Sequence, residues 1–313
     1  MFSFLTARRK PGWLAIVPHG DGVTLAHVVR RRDVKPELRL LETFAIEHGA
    51  ADALQRLRAR YQLKTYACTS LLPTGEYNVT QLEAPAVPKE ERREALRWAL
   101  KESVSYPVDS ACIDVLDLPG DRVASGRANN VLLVSAPEPA VRAHVAPFED
   151  AGISLAALDI AELAQRNVSA LLEDENRGLV FLRIDAQNIM LTLSYRGELI
   201  SVRREERGAR VPVGAEDEAV ARANERMALE LQRSLDNFDR QYSHITVSRI
   251  VLALDPPVEG LAAVLAASTY LPVQEMDLSD VLDFTAVPEM KNPRLQARHL
   301  LAIGAALRDE VPA

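Results

Sequence analysis

Gly12-Trp13-Leu14-Ala15-Ile16-Val17, then Pro18-His19-Gly20-Asp21-Gly22, then Val23-Thr24-Leu25-Ala26-His27-Val28-Val29: two β-rich runs enclose a turn of Gly, Asp and Pro. That order reads as a β-hairpin, because Gly and Asp tolerate the turn conformations that fold one strand back on another. Leu38 to Ile46 is a third run able to extend it. The same opening returns in the second half, with Gly178 to Ile184, Ile189 to Tyr195, the turn Arg196-Gly197-Glu198, and Leu199 to Arg204. A hairpin-first layout over residues 12–46 and again over 178–204 is a weak internal duplication, and it predicts two lobes of one design.

Outward from the first hairpin, Ala51 to Arg60 has helical character and Tyr66 to Leu72 reads as a strand. Val131 to Ala136 is an apolar run of strand length. Pro139 to Ala151 is a helix stopped by Gly152, Ile153 to Ile160 is a strand, and Ala161 to Leu172 is a helix. This β-α-β-α order suits a sheet with crossover helices. Residues 80–119 behave as an insertion. Ala84-Pro85-Ala86-Val87-Pro88 is extended, and Lys89 to Val104 is predicted to be a helix with acids in its first turn. Ala95, Leu96, Ala99, Leu100 and Val104 share one face of it. Trp98 lies roughly opposite, beside Glu94, Lys101 and Glu102, and has two readings: packing against a neighbouring element, or an aromatic contact for a partner.

In the second half a long helix carries Val220, Met227, Leu231, Leu235, Phe238 and Tyr242 on one stripe. Arg249 to Leu254 is a buried-type strand, Gly260 to Ser268 a helix, Val273 to Met276 a short strand, and Arg294 to Arg308 the last helix. Gly304 costs that helix propensity but permits close packing. The acid-rich run Glu173 to Arg177 reads as a linker. The expected division is therefore a first lobe at 1–175, with an inserted subdomain at about 73–120, and a second lobe at 176–313.

The chain has 313 residues, a length that suits about two domains. Its 48% hydrophobic and 26% charged residues are ordinary for a folded protein and exclude wholesale disorder. A net charge of −7 argues against nucleic acid as the main partner, because a phosphate backbone needs a positive surface. Two cysteines, Cys68 and Cys112, make neither a disulfide framework nor a four-thiolate zinc site, and read as reduced thiols in a cytosolic protein. The six histidines form no HxH or HExxH pair, so no metal site is signalled. No run of 18 apolar residues occurs. Met1-Phe2-Ser3-Phe4-Leu5 ahead of Arg8-Arg9-Lys10 is too short for a secretory signal; it reads as a frayed tail or as a contact for an anionic membrane leaflet.

Two tandem hairpin-first lobes suggest the actin/Hsp70/sugar-kinase fold, and several stretches sharpen this. Leu82 to Glu91, Ala95-Leu96-Arg97-Trp98 and Ser105-Tyr106-Pro107 resemble the insertion subdomain of the PilM family of type IV pilus biogenesis. Val131 to Pro137, Ala151-Gly152-Ile153 and Leu158-Asp159-Ile160 resemble its next two strands. Gln232 to Tyr242 resembles its long helix, and Arg249 to Leu252 and Leu300 to Gly304 its closing elements. The opening residues, up to Pro11-Gly12-Trp13, resemble the branch found in mannose-sensitive haemagglutinin (MSHA) pilus systems. The motifs are short, and their order along the whole chain carries the resemblance.

The resemblance implies an actin-like α/β protein with ATP between its lobes, held by two hairpin turns of Asp-Ile-Gly type and a third, Gly-rich turn. Here the first aligns with Val17-Pro18-His19, which loses the carboxylate and one N–H donor, although Gly20-Asp21-Gly22 still allows a tight turn. The second aligns with Arg183-Ile184-Asp185, where a cation replaces the metal-facing acid. The third aligns with Ala253-Leu254-Asp255-Pro256-Pro257, without glycine and with two donors removed. Three elements degraded together argue against Mg-ATP turnover. If nucleotide is retained, Asp21 and Arg183 are the residues to hold it; otherwise Arg183 is an ion-pair residue and no cofactor is expected.

The resemblance further implies a cytoplasmic scaffold, peripheral to the inner membrane. It would bind the N-terminal tail of a PilN-like inner-membrane partner in a groove beside the insertion, with Trp98, Val104, Tyr106 and Pro107 as candidates. The plainer reading of each of these is a core or turn residue. The alternative is an ATP-binding switch or weak ATPase of the same machinery. A kinase of this fold would need a cleft carboxylate; Asp159 is the nearest candidate, and an N-cap for the helix near Ala161 is its other reading. No Ser-His-Asp or Cys-His constellation is legible.

Overall fold

The computed structural model describes residues 9–20, 22–47, 49–118, 130–205 and 217–309. Asp21 and the Phe2/Phe4 segment lie outside them. Strands β1 (Trp13–His19), β2 (Gly22–Arg31), β3 (Val34–Ala45), β4 (Ala67–Leu71) and β8 (Leu155–Asp159) form one five-stranded sheet in the order β3-β2-β1-β4-β8. The short link between β1 and β2 can only join antiparallel strands, whereas β4 runs parallel to both β1 and β8. Strands β9 (Gly178–Ile184), β10 (Ile189–Tyr195), β11 (Glu198–Glu205), β12 (Val247–Leu254) and β13 (Val273–Glu275) form the other, in the order β11-β10-β9-β12-β13. Here β10 is antiparallel to β9 and β11, and β12 is parallel to β9 and β13.

The helices repeat as well. In chain order α1 (Ala50–Tyr61) separates β3 from β4, as α5 (Asp217–Gln241) separates β11 from β12. Helix α3 (Glu138–Asp150) precedes β8 as α6 (Leu261–Ser268) precedes β13, and α4 (Ala161–Leu172) follows β8 as α7 (Pro293–Ala306) follows β13. The duplication expected from the two hairpins thus extends to ten strands and six helices. Hydrophobic burial drives both halves: all seven residues of β9 are buried, and Leu231, Leu235 and Phe238 of α5, with Tyr242 just past its end, close over Val180 and Leu182.

The insertion is a three-stranded antiparallel sheet of β5 (Asn78–Glu83), β7 (Asn130–Pro137) and β6 (Ala111–Asp117), in the order β5-β7-β6. Two expectations are corrected here. Val131 to Ala136 pairs with β5 and β6 and does not enter the lobe's sheet, so this subdomain sheet runs to Pro137, past residue 120. A strand buried on both faces looks alike in either sheet. The helix predicted over 89–104 is shorter, α2 (Arg92–Ala99) plus one 3-10 turn at Leu100–Glu102, a tightening common at helix C-termini.

Contacts divide the chain elsewhere than at 175/176. One unit is Met1–Val23 with Thr43–Ala161; the other is Thr24–Glu42 with Glu162–Ala313. Nearly all of α4 joins the second unit. Gln165 donates to the Phe181 carbonyl (3.1 Å) and Thr192 Oγ1 (2.7 Å), and Asn167 donates to the Gly304 carbonyl (2.9 Å). The acid-rich run at 173–177 is a clasp within that unit. Glu173 accepts the Gly197 N–H (2.8 Å), Arg249 reaches Asp174 (2.5 Å), and Arg196 donates to Asn176 (3.0 Å). Residues 24–42 join the same unit through Leu38 N–H to the Asp283 carbonyl (2.9 Å) and Arg30 to the Leu307 carbonyl (2.8 Å).

Candidate functional site

Parallel pairing of β9 and β12 sets Arg183 opposite Ala253 and Ile184 opposite Leu254, so the second and third turns leave the sheet side by side. The Asp255 N–H donates to the Ile184 carbonyl (2.9 Å) and ties them together. Ligands of open α/β sheets collect at the carboxyl ends of such strands. In this chain the groups there are bonded to each other. Arg183, 7% exposed, forms an ion pair with Asp185, whose other carboxylate oxygen accepts the N–H groups of Gln187 (2.8 Å) and Asn188 (2.7 Å). Those are two of the donors a phosphate on this turn would use. At the third turn Arg298 of α7 donates to both carboxylate oxygens of Asp255 (3.2 and 3.4 Å), and Pro256 and Pro257 carry no N–H. Two arginines and two aspartates neutralise one another.

The cavity beside the third turn, bordered by Leu254, Pro257, Met276 and Arg294, holds about 90 Å³. Pockets for drug-sized ligands start at roughly 300 Å³. At the first turn Gly20 takes φ +49°, and the Gly22 Cα hydrogen faces the His19 ring, which a Cβ would meet at 3.0 Å. His19 is exposed at the end of β1.

Asp159 is buried at the end of β8, and its carboxylate accepts the Ile160 N–H (2.9 Å) ahead of α4. An N-cap side chain accepts from the N–H of the second or third helical residue, whereas this bond of Asp159 lies ahead of the helix. The sequence reading missed its neighbour Glu162, fully buried and paired with Arg204 at 3.2 Å. It also missed a Ser-His pair, Ser70 of β4 and His144 of α3, with Oγ and Nε2 3.0 Å apart. Residues 74 apart in sequence give no local signal. Ser70 is fully buried, so its hydroxyl is closed to a substrate, and burial lowers the His144 pKa. Both thiols are free; burial pushes Cys68 up to about 12, which leaves it inert. Among the described residues no three His, Cys, Asp or Glu side chains are placed to hold a metal ion.

On the insertion, Leu96 of α2 and Leu100 of the 3-10 turn after it pack on Ile113, Val131 and Leu133 of the small sheet. Val104 and Tyr106 belong to the same apolar cluster. The Tyr106 hydroxyl lies 2.8 Å from Ser135 Oγ on β7 and accepts from Asn78 of β5 (3.2 Å). Pro107 is exposed and precedes a short 3-10 turn. Trp98 stands out by contrast, 70% exposed on the opposite face of α2, with Lys101 Nζ 5.9 Å from its ring centre. Arg97, unmarked in the sequence reading, fastens the helix by donating to the carbonyls of Val108 (2.6 Å) and Ala111 (3.0 Å).

No family model matches the chain, and no curated protein matches it. The duplicated sheet order and the overlay with a solved structure give the class: the fold is the actin-like α/β fold. The chain overlays the PilM-PilN type IV pilus biogenesis complex with a TM-score of 0.74 at 18% identity, covering 95% of this chain and 98% of that one. A Bacteroides thetaiotaomicron protein with an actin-like ATPase fold and unknown function overlays at 0.49 and 11% identity, covering 95% and 98%. The cytoplasmic domain of EpsL, an inner-membrane component of the Vibrio cholerae type II secretion system, overlays at 0.42 and 14%, covering 62% and 71%.

Proposed function

We propose that the chain is a non-catalytic scaffold of a type IV pilus assembly machine, of the PilM kind and of the MshI form found in MSHA systems. It works at the cytoplasmic face of the inner membrane and holds the N-terminal tail of a PilN-like partner against the insertion subdomain. The observation that carries this reading is the overlay with the PilM-PilN complex along almost the whole of both chains. The two turns at the ends of β9 and β12 support the non-catalytic part. Their cations and carboxylates are spent on each other, and the N–H groups of Gln187 and Asn188 are already bonded. Exposed Trp98 is the aromatic anchor expected of a binding surface, while Val104 and Tyr106, half-buried against the apolar cluster, help shape it. Among the described residues no helix is long and apolar enough to cross a membrane.

A second reading, an ATP-binding switch or weak ATPase, is favoured by one observation, the guanidinium of Arg183 at a strand end. Thermal unfolding separates the two. A ligand at about 100 times its dissociation constant stabilises by roughly 2.7 kcal/mol. The PilN-like tail peptide is expected to raise the midpoint and Mg-ATP to leave it unchanged, with Trp98→Ala weakening only the peptide response. A midpoint raised by Mg-ATP would establish the switch reading instead.

A further inference from the structure

The tip of the β2–β3 hairpin reads Arg30-Arg31-Arg32-Asp33-Val34-Lys35, a basic run in a chain of net charge −7. It borders an open depression of about 610 Å³, closed on its other side by Leu171 and Asp309. Its cations are unequally engaged. Arg30 is tied down, to Asp309 at 2.7 Å and to the Leu307 carbonyl at 2.8 Å. Arg31 is only 3.8 Å from Glu37, a carboxylate that Arg39 already holds at 2.9 Å. Arg32 and Asp33 face each other at 4.0 Å with both side chains more than nine-tenths exposed. Between these charges Val34 stands 61% exposed, one of the few large apolar side chains that the described surface offers to solvent.

We propose that this hairpin tip is a docking surface for an anionic phospholipid bilayer, with Arg31, Arg32 and Lys35 meeting headgroup phosphates and Val34 entering the headgroup layer. The inference rests on the membrane-side placement proposed above and names the surface that makes the contact. Two features favour lipid over an acidic peptide. A peptide adding to β3, the outer strand of its sheet, needs free backbone groups. Next to the tip those groups are occupied, since Leu38 N–H bonds the Asp283 carbonyl and Asp283 N–H bonds the Pro36 carbonyl. Scattered, exposed cations around a single apolar side chain fit a fluid surface, which asks for no fixed register.

The test is co-sedimentation of the full chain with phosphatidylglycerol-containing vesicles and with pure phosphatidylcholine vesicles, across a salt series. Binding to the anionic vesicles alone, weakening as salt screens it, is expected. Each cation near such a surface is worth about 1 kcal/mol, or roughly fivefold in affinity. The triple variant Arg31→Ala/Arg32→Ala/Lys35→Ala is therefore expected to bind roughly a hundredfold more weakly, with an unchanged unfolding midpoint. Equal binding by the triple variant, or none by the parent chain, overturns the proposal; so does inorganic phosphate competing as well as the vesicles do. The tail-peptide measurement is made without lipid, so a failure here and a failure of the scaffold reading are separately visible.

Discussion

Asp185 decides what the second turn can do. The carboxylate sits among two backbone N–H groups and a buried guanidinium, an arrangement that suits an anion, and the chain supplies that anion itself. Asp185→Ala leaves Arg183 and both N–H groups without their partner. Breaking a buried pair costs about 3–5 kcal/mol; the partial exposure of Asp185 reduces this to about 2–3 kcal/mol by solvent screening. Millimolar phosphate is expected to raise the midpoint of the variant and leave that of the parent chain unmoved, because only the variant presents the freed donors. Calorimetry with and without phosphate measures both effects, and a variant as stable as the parent would show that the ion pair holds nothing.

Helices α4 and α7 meet where Gly304 lies on Ala164. A Cβ at 304 would stand 2.0 Å from the Ala164 carbonyl oxygen and 2.7 Å from its carbon. The obstruction is backbone, which cannot rotate aside. Gly304→Ala gains about 1 kcal/mol of helix propensity, but overpacking of this kind costs typically 1–3 kcal/mol or more. A net loss of about 2 kcal/mol is expected in thermal unfolding, and Ala164→Gly should not rescue it, since the clashing oxygen remains; rescue would mean the methyl group sets the spacing. Gly304 was legible as a close-packing residue because glycine inside a helix is costly without such a reason. The hairpins, α4 and the stripe of α5 were legible from periodicity. The allegiance of β7 was not, because three consecutive buried residues, Val131, Leu132 and Leu133, carry no mark of which sheet they join. At the candidate site, the replacement of an acid by Arg183 was visible in the sequence. Its pairing with Asp185 was one of many possible, and the Arg298–Asp255 and Ser70–His144 contacts depend on folding over 43 and 74 residues.

Ionisable groups in both units make the fold lose stability on the acid side. Burial holds the His144 pKa below its ordinary 6.5, so the unfolded chain binds a proton there before the folded one does. Stability from this group is present above pH 6.5 and is lost as pH falls below it. Arg249 and Ser248 lower the Asp174 pKa through hydrogen bonds. Asp277 is also lowered, against the opposing effect of its burial, by Ser279 and Gln296, and Asp283 is lowered by Thr285. Carboxylates held below 3.8 stabilise the fold above that value and release it as pH falls through their folded pKa. Acid destabilisation is therefore expected in two stages, a shallow one starting near pH 6.5 and a steeper one below about pH 4. His144→Gln, which keeps a side chain able to bond Ser70, should flatten the first stage and leave the second in place. Unfolding midpoints from pH 8 to pH 3 for both chains separate the contributions. If His144→Gln follows the parent curve between pH 7 and pH 5, the His144 imidazole is not the group whose titration destabilises the fold there.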